Sequence, residues 1–166
     1  MATSTEATVN AALVGAIQGI YSSLGFDASP GNVKAYPIEF EREEENTSYL
    51  MSTCSSTKVV RCWSVDVRAN DAFFAVDNVA NREYQIDILG YYEIGVNGSG
   101  YSLLVDHSRK VRKAIIDLGT SLSGTVDWTE AGTPLDIAKE SAFDVSKGEI
   151  LIGAISYTAL KRNPDY

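Results

Sequence analysis

Residues 149–162 read EILIGAISYTALKR, and this stretch decides the fold. A half-buried strand alternates apolar and polar residues. This one does not: Ile150, Ile152 and Ala154 point to one side, and Leu151, Ile155 and Tyr157 to the other. A strand that is apolar on both faces needs a cover on both. One small domain offers helices for one face, so a second subunit becomes the candidate cover for the other. Ile155 and Tyr157 are therefore candidate subunit-interface residues. The Lys161–Arg162 pair at the end of the strand is a candidate contact to an acidic neighbour.

The rest of the chain supplies the helices and the partner strands. A helix is expected over 6–24, with Val9, Leu13, Ile17, Ile20 and Leu24 on one face at helical spacing. Thr3 and Glu6 have capping-box spacing at its start, and Gly25 stands at its end. A second stripe, Ala12, Gly15, Ala16 and Gly19, is small throughout. Such a stripe allows a close approach, to the chain's own sheet or to a neighbour. Gly15 and Gly19 join the candidate interface residues on that ground.

Residues 33–40 contain Pro37 and read as an edge strand or arm. Strands are expected over 57–68, with Val59, Trp63, Val65 and Val67 on one face, and over 83–94, where Tyr84, Ile86, Ile88, Tyr92 and Ile94 alternate with Gln85, Asp87 and Glu93. Gly90 interrupts that inner row and suggests a bulge. Residues 70–81 read as a connection around AFFAV, with a short helix possible there. A second helix is expected over 102–118, its stripe formed by Leu104, Val111, Ile115 and Leu118. Short strands at 124–128 and 141–145 flank a loop with Gly132 and Pro134. Helix, strands, helix, strands is the order of an α+β domain with a mainly antiparallel sheet and two main helices packed on it. The 166 residues suit one such domain, with a flexible tail at 1–5 and a flexible acidic loop at 41–56.

Charge narrows the partners. The formal net charge is -8, which opposes a nucleic-acid-binding surface and adhesion to anionic membranes. Glu41, Glu43, Glu44 and Glu45 form an acidic run, expected on a solvated loop or on an acidic lumen or axial rim. Arg109, Lys110, Arg112 and Lys113 form the one concentrated basic patch, either a solvated helix face or a contact to an acidic partner surface. Arg109, Arg112 and Lys113 are thus further interface candidates. No apolar run reaches the roughly 20 residues of a membrane helix.

Catalytic and metal chemistry find little material. The two cysteines, Cys54 and Cys62, read as free thiols, and with a single histidine they do not complete a four-ligand zinc site. His107 lies mid-helix beside Asp106 and Ser108, and adjacent helix positions do not face each other. A satisfied, partly buried histidine is the expected role. The glycines at 95, 98 and 100 match neither the dinucleotide fingerprint nor a phosphate loop. No catalytic, cofactor or metal residues are expected. Nine tyrosines outnumber phenylalanine and tryptophan together, a composition that favours protein interfaces.

The layout resembles the tail terminator, or tail completion, proteins of long-tailed bacteriophages. The resemblance lies in an amphipathic opening helix (VNAALVGAIQGIYSSLG), a central strand (EYQIDILGYYEI), a helix of mixed charge (LLVDHSRKVRKAIIDLG) and a closing strand with an aromatic-then-basic ending (GAISYTALKRNPDY). It implies a structural virion protein, without catalytic residues or cofactor. Such a protein forms a hexameric ring that caps the tail tube and meets the head-completion or connector proteins, and DNA passes through unbound. A closed ring requires a head-to-tail interface between copies. A tail-tube or connector protein of related fold is the alternative, and a small-molecule-binding α+β domain a further one.

Overall fold

The computed structural model describes residues 5–24, 33–35, 61–74, 79–141 and 149–162. Helix α1 (Glu6–Gly19) leads through a 3-10 turn (Tyr21–Leu24) to β1 (Val33–Lys34), β2 (Arg61–Phe74) and β3 (Val79–Glu93). A second 3-10 turn (Val96–Gly98) opens α2 (Ser99–Ile116), and β4 (Trp128–Thr129), β5 (Asp136–Ser141) and β6 (Glu149–Arg162) follow. The architecture is α+β: two helices on a mixed, mostly antiparallel sheet of order β1-β2-β3-β6-β4, with β5 also paired to β6. Among the described strands only β1 runs parallel to its neighbour.

Both helices lie on one face and share a single core with it. Val9, Leu13 and Ile17 of α1 and Leu104, Val111 and Ile115 of α2 pack with Trp63, Val65, Ile86, Ile88, Tyr92 and Ile155 of the sheet. The closing strand spans the expected 149–162, and its odd-numbered residues face the helices: Leu151, Ile155 and Ala159 are fully buried, and Tyr157 nearly so. The even-numbered side faces away, with Ile150 buried and Ile152, Ala154 and Leu160 half-buried.

Several elements differ from expectation for local reasons. The first helix is capped by Thr5 and Thr8, not Thr3 and Glu6: the Thr8 amide donates to Thr5 Oγ1 (3.2 Å) and the Thr5 amide to Thr8 Oγ1 (2.9 Å). The helix also stops at Gly19, and a tighter turn carries Leu24 into the core. Glycine is among the weakest helix formers, and Gly15 and Gly19 weaken its last turns. Residues 70–81 are not a connection with a helix. Residues 70–74 and 79–81 lie in β2 and β3, where Asn70 pairs with Glu83 and Phe74 with Val79, and 75–78 lie outside the described residues. β5 begins straight after the Pro134 loop and reaches Ser141, the first residue of the expected 141–145; residues 142–145 lie outside the described residues. The expected 124–128 strand shrinks to β4, because 119–127 is wound through left-handed Leu122, Ser123 and two glycines. Residues 1–4 and 36–60 lie outside the described residues, and with them Glu41, Glu43, Glu44, Glu45 and Cys54.

Gly90 causes no bulge. Its register is unbroken: Trp63 pairs with Gly90, and Gly90 with Gly153. A Cβ on Gly90 would come within 2.9 Å of the Trp63 ring and 3.0 Å of Leu104 Cδ1. A Cβ on Gly153 would meet the same Leu104 at 3.0 Å. Two adjacent glycines thus make a depression in the sheet that seats Leu104 of α2. The start of that helix is held as closely: the Gly100 amide donates to the Ile94 carbonyl (2.8 Å), and any side chain at position 100 would collide with the Glu93 carbonyl.

Candidate functional surfaces

His107 lies under α2 and is 3% exposed. Its Nδ1 is 2.7 Å from the Tyr92 hydroxyl, which accepts the indole N–H of Trp63 at 2.9 Å. An indole nitrogen only donates. The hydroxyl thus receives the Trp63 N–H and joins it to the imidazole in one buried polar chain. Arg61 lies 5.9 Å from the Tyr92 ring centre, on the side of a cation–π contact. Burial pushes the Tyr92 hydroxyl well up and His107 down to about 4. The histidine is thus a satisfied core group, and this polar chain is part of the packing of α2 on the sheet.

The basic patch of α2 is largely spent within the subunit. Arg112 donates to the carbonyls of Thr133 (2.7 Å) and Gly132 (3.3 Å), so it anchors the loop before β5. Lys113 pairs with Asp117 at 2.9 Å and Lys110 with Asp106 at 3.0 Å. The Lys110 ammonium holds the Asp106 carboxyl below its usual range. Arg109 is exposed. At the end of β6, Lys161 meets Asp127 at 3.2 Å, and the Arg162 amide donates to the same carboxylate at 2.7 Å. The basic ending of the closing strand is therefore secured to the β4 turn, which takes up the acidic contact expected from a neighbour. Arg112→Ala is expected to lower stability by about 1 kcal/mol and to speed amide exchange around Gly132 and Thr133.

Ile155 and Tyr157 sit in the subunit's own core and offer a neighbour almost no surface. Gly15 and Gly19 are exposed, and a Cβ at either would meet nothing within 4 Å. The close approach of α1 to its own sheet does not use them. Gly15→Ala is expected to stabilise the isolated subunit by about 1 kcal/mol, since alanine is the better helix former. Thermal melts of the two proteins check this.

A groove of about 660 Å³ runs between α1 and the edge of β2, lined by Ala7, Ala11, Val14, Gly15, Val67 and their polar neighbours. Its floor is tied down. Asn10 Nδ2 donates to the carbonyls of Ala35 and Val65, both at 3.1 Å, and Glu6 Oε1 accepts the Ala69 amide at 2.8 Å. These contacts bind α1 to the sheet edge and engage Glu6 and Asn10 with backbone.

The far face of the sheet is graded. At one end Cys62, Ser64, Tyr91 and Ile150 are buried. Leu89, Ile152 and Ala154 beside them are half-buried. Asp66, Arg68, Asp87 and Ser156 follow as a polar network, with Arg68 bridging both aspartates and Ser156 donating to Asp87 at 2.6 Å. Beyond them Leu160 pairs with Trp128, which is 49% exposed. This patterning eluded the sequence reading, which did not fix which side of β6 the helices cover.

Among the described residues no three His, Cys, Asp or Glu side chains gather as a metal site, and no helix is long and apolar enough to cross a membrane. Compared with known proteins, the chain matches no family model and no curated protein.

Proposed function

We propose that this chain is a structural subunit that closes into a ring with copies of itself, in the manner of the phage tail terminators its sequence resembles. In that role it caps a tail tube within the virion, joins it to head-completion proteins, lets DNA pass unbound and catalyses nothing. The observation that carries the reading is the half-buried apolar block of Leu89, Ile152 and Ala154 on the sheet face turned away from both helices. An apolar block that its own subunit covers only in part, bordered by polar side chains, leaves surface for a contact with a neighbour. The net charge of -8 suits a passage that must not hold DNA.

Ile152→Asp tests this. Residue 152 lies on the open side of β6, so the variant is expected to keep its fold, seen by circular dichroism, and to lose assembly in light scattering. Unchanged assembly would remove this face from the interface. A tail-tube role differs by growing without limit. The reading as a small-molecule-binding domain, with Gly90 and the tyrosine-rich strand lining a pocket, finds less support: Trp63 and Leu104 fill the space over Gly90, and in the α1 groove Glu6 and Asn10 are engaged by backbone.

A further inference from the structure

We propose that Glu6 and Asn10 form an edge guard: from α1 they occupy outward hydrogen-bonding groups of β2, and so keep a strand of a second copy from extending the sheet there. Among the described residues β2 has a strand partner on that side only at Trp63 and Ser64, where β1 pairs with it. β2 runs on to Phe74, and an unpaired edge of that kind is a template for another chain. Asn10 Nδ2 donates to the Val65 carbonyl and to the Ala35 carbonyl, both at 3.1 Å. It thus stands between the two chains where the β1–β2 ladder stops. One turn earlier in α1, Glu6 Oε1 accepts the Ala69 amide at 2.8 Å. The groups themselves fix the direction of each bond: peptide carbonyls and carboxylates accept, and peptide amides donate.

The spacing is that of a strand edge. Backbone groups turned to one side of a strand recur at every second residue, so Val67 is the outward position between Val65 and Ala69. Val67 lines the groove of about 660 Å³ together with Ala7 and Ala11. A strand added to β2 has to run along this groove and break the Asn10 and Glu6 bonds on its way. The two side chains are held in place by α1, since residues four apart share one helix face and Val9 and Leu13 anchor the helix in the core. Among the described residues the opposite edge carries no such bonds. β5 pairs with β6 alone, and Asp136, Ala138 and Lys139 on it are exposed. A sheet with two open edges adds copies without end, β5 of one copy on β2 of the next. Closing the β2 edge ends that route, whether or not the subunit also forms a ring.

The test uses the full chain carrying Glu6→Ala and Asn10→Ala together. Circular dichroism checks the fold, light scattering the mass, and hydrogen exchange the amides of Val67 and Ala69. In dilute solution the Ala69 amide is expected to exchange about tenfold faster than in the wild-type chain, the effect of one lost hydrogen bond. As concentration rises, the mass of the variant is expected to climb above that of the wild-type chain, and the Val67 and Ala69 amides to slow again. Glu6→Gln keeps the accepting oxygen and removes the charge, so its mass is expected to follow the wild type. A folded double variant with the wild-type mass at every concentration would overturn the guard. Growth in which Val67 and Ala69 stay unprotected would overturn it too, since another surface would then be in contact. Equal growth in Glu6→Gln would do the same, by tracing the effect to charge repulsion. Should the double variant not fold, Glu6→Ala and Asn10→Ala taken singly each free one end of the groove and carry the same readouts.

Discussion

Gly90→Val is expected to destabilise the subunit by about 3 kcal/mol, the upper end of what overpacking a filled core does. The site has no slack on either side. The first added carbon would stand 2.9 Å from Trp63 and 3.0 Å from Leu104. Leu104 can rotate, but Trp63 is fully buried and its indole N–H is committed to Tyr92. The two branches of valine therefore push against a ring that cannot leave without breaking the polar chain. Urea denaturation reads the effect as a lower midpoint with unchanged slope. Gly15→Val on the exposed side of α1 is the matched control: there the same side chain meets open space and leaves the core unchanged.

Tyr92→Phe is expected to lose about 3 kcal/mol, whereas Tyr157→Phe is expected to be neutral or slightly stabilising. Both hydroxyls are buried, and they differ in what they hold. Removing the Tyr92 hydroxyl orphans the Trp63 N–H and the His107 Nδ1 together, and each buried polar group left unpaired costs about 1–3 kcal/mol. The Tyr157 hydroxyl has no hydrogen-bond partner among the described residues, and its removal orphans nothing. Burial raises both phenols, so neither ionises in the neutral range and the comparison is free of charge effects. Equal losses in the two variants, measured by denaturant titration at pH 7, would contradict the account of the polar chain.

Elements with strong local periodicity were legible in the sequence. Val9, Leu13 and Ile17 fixed the buried side of α1, and the alternation from Tyr84 to Tyr92 fixed that of β3. The ends of elements were not, because pairing decides them. Asn70, Asp71 and Asn81 are poor strand formers, yet they lie in strands because β2 and β3 continue side by side past the helices. β5 carries a single large aliphatic residue, Ile137, and exists through its pairing with β6. Gly90 was recognisable as an irregularity in an apolar row, but its purpose depends on Gly153, 63 residues away in sequence and adjacent in the sheet.

The candidate surface was legible in part. Apolar residues on both sides of β6 announced a second covered face, and the parity of the strand fixed the two sets of residues. Which set met the helices depended on the register with β3, and it is Ile155 and Tyr157 that went inward. The basic patch misled for another reason. A row of Arg and Lys on a helix does not reveal that Arg112 is held by two loop carbonyls and Lys113 by the next turn of its own chain.

The central claim is that this subunit closes on itself. Multi-angle light scattering of the purified chain, across a wide concentration range and with electron micrographs of the same sample, tests it most directly. The account predicts one species whose mass is a fixed multiple of 18.0 kDa, seen as rings of constant diameter. Monomers at every concentration, or filaments that lengthen as concentration rises, would contradict it.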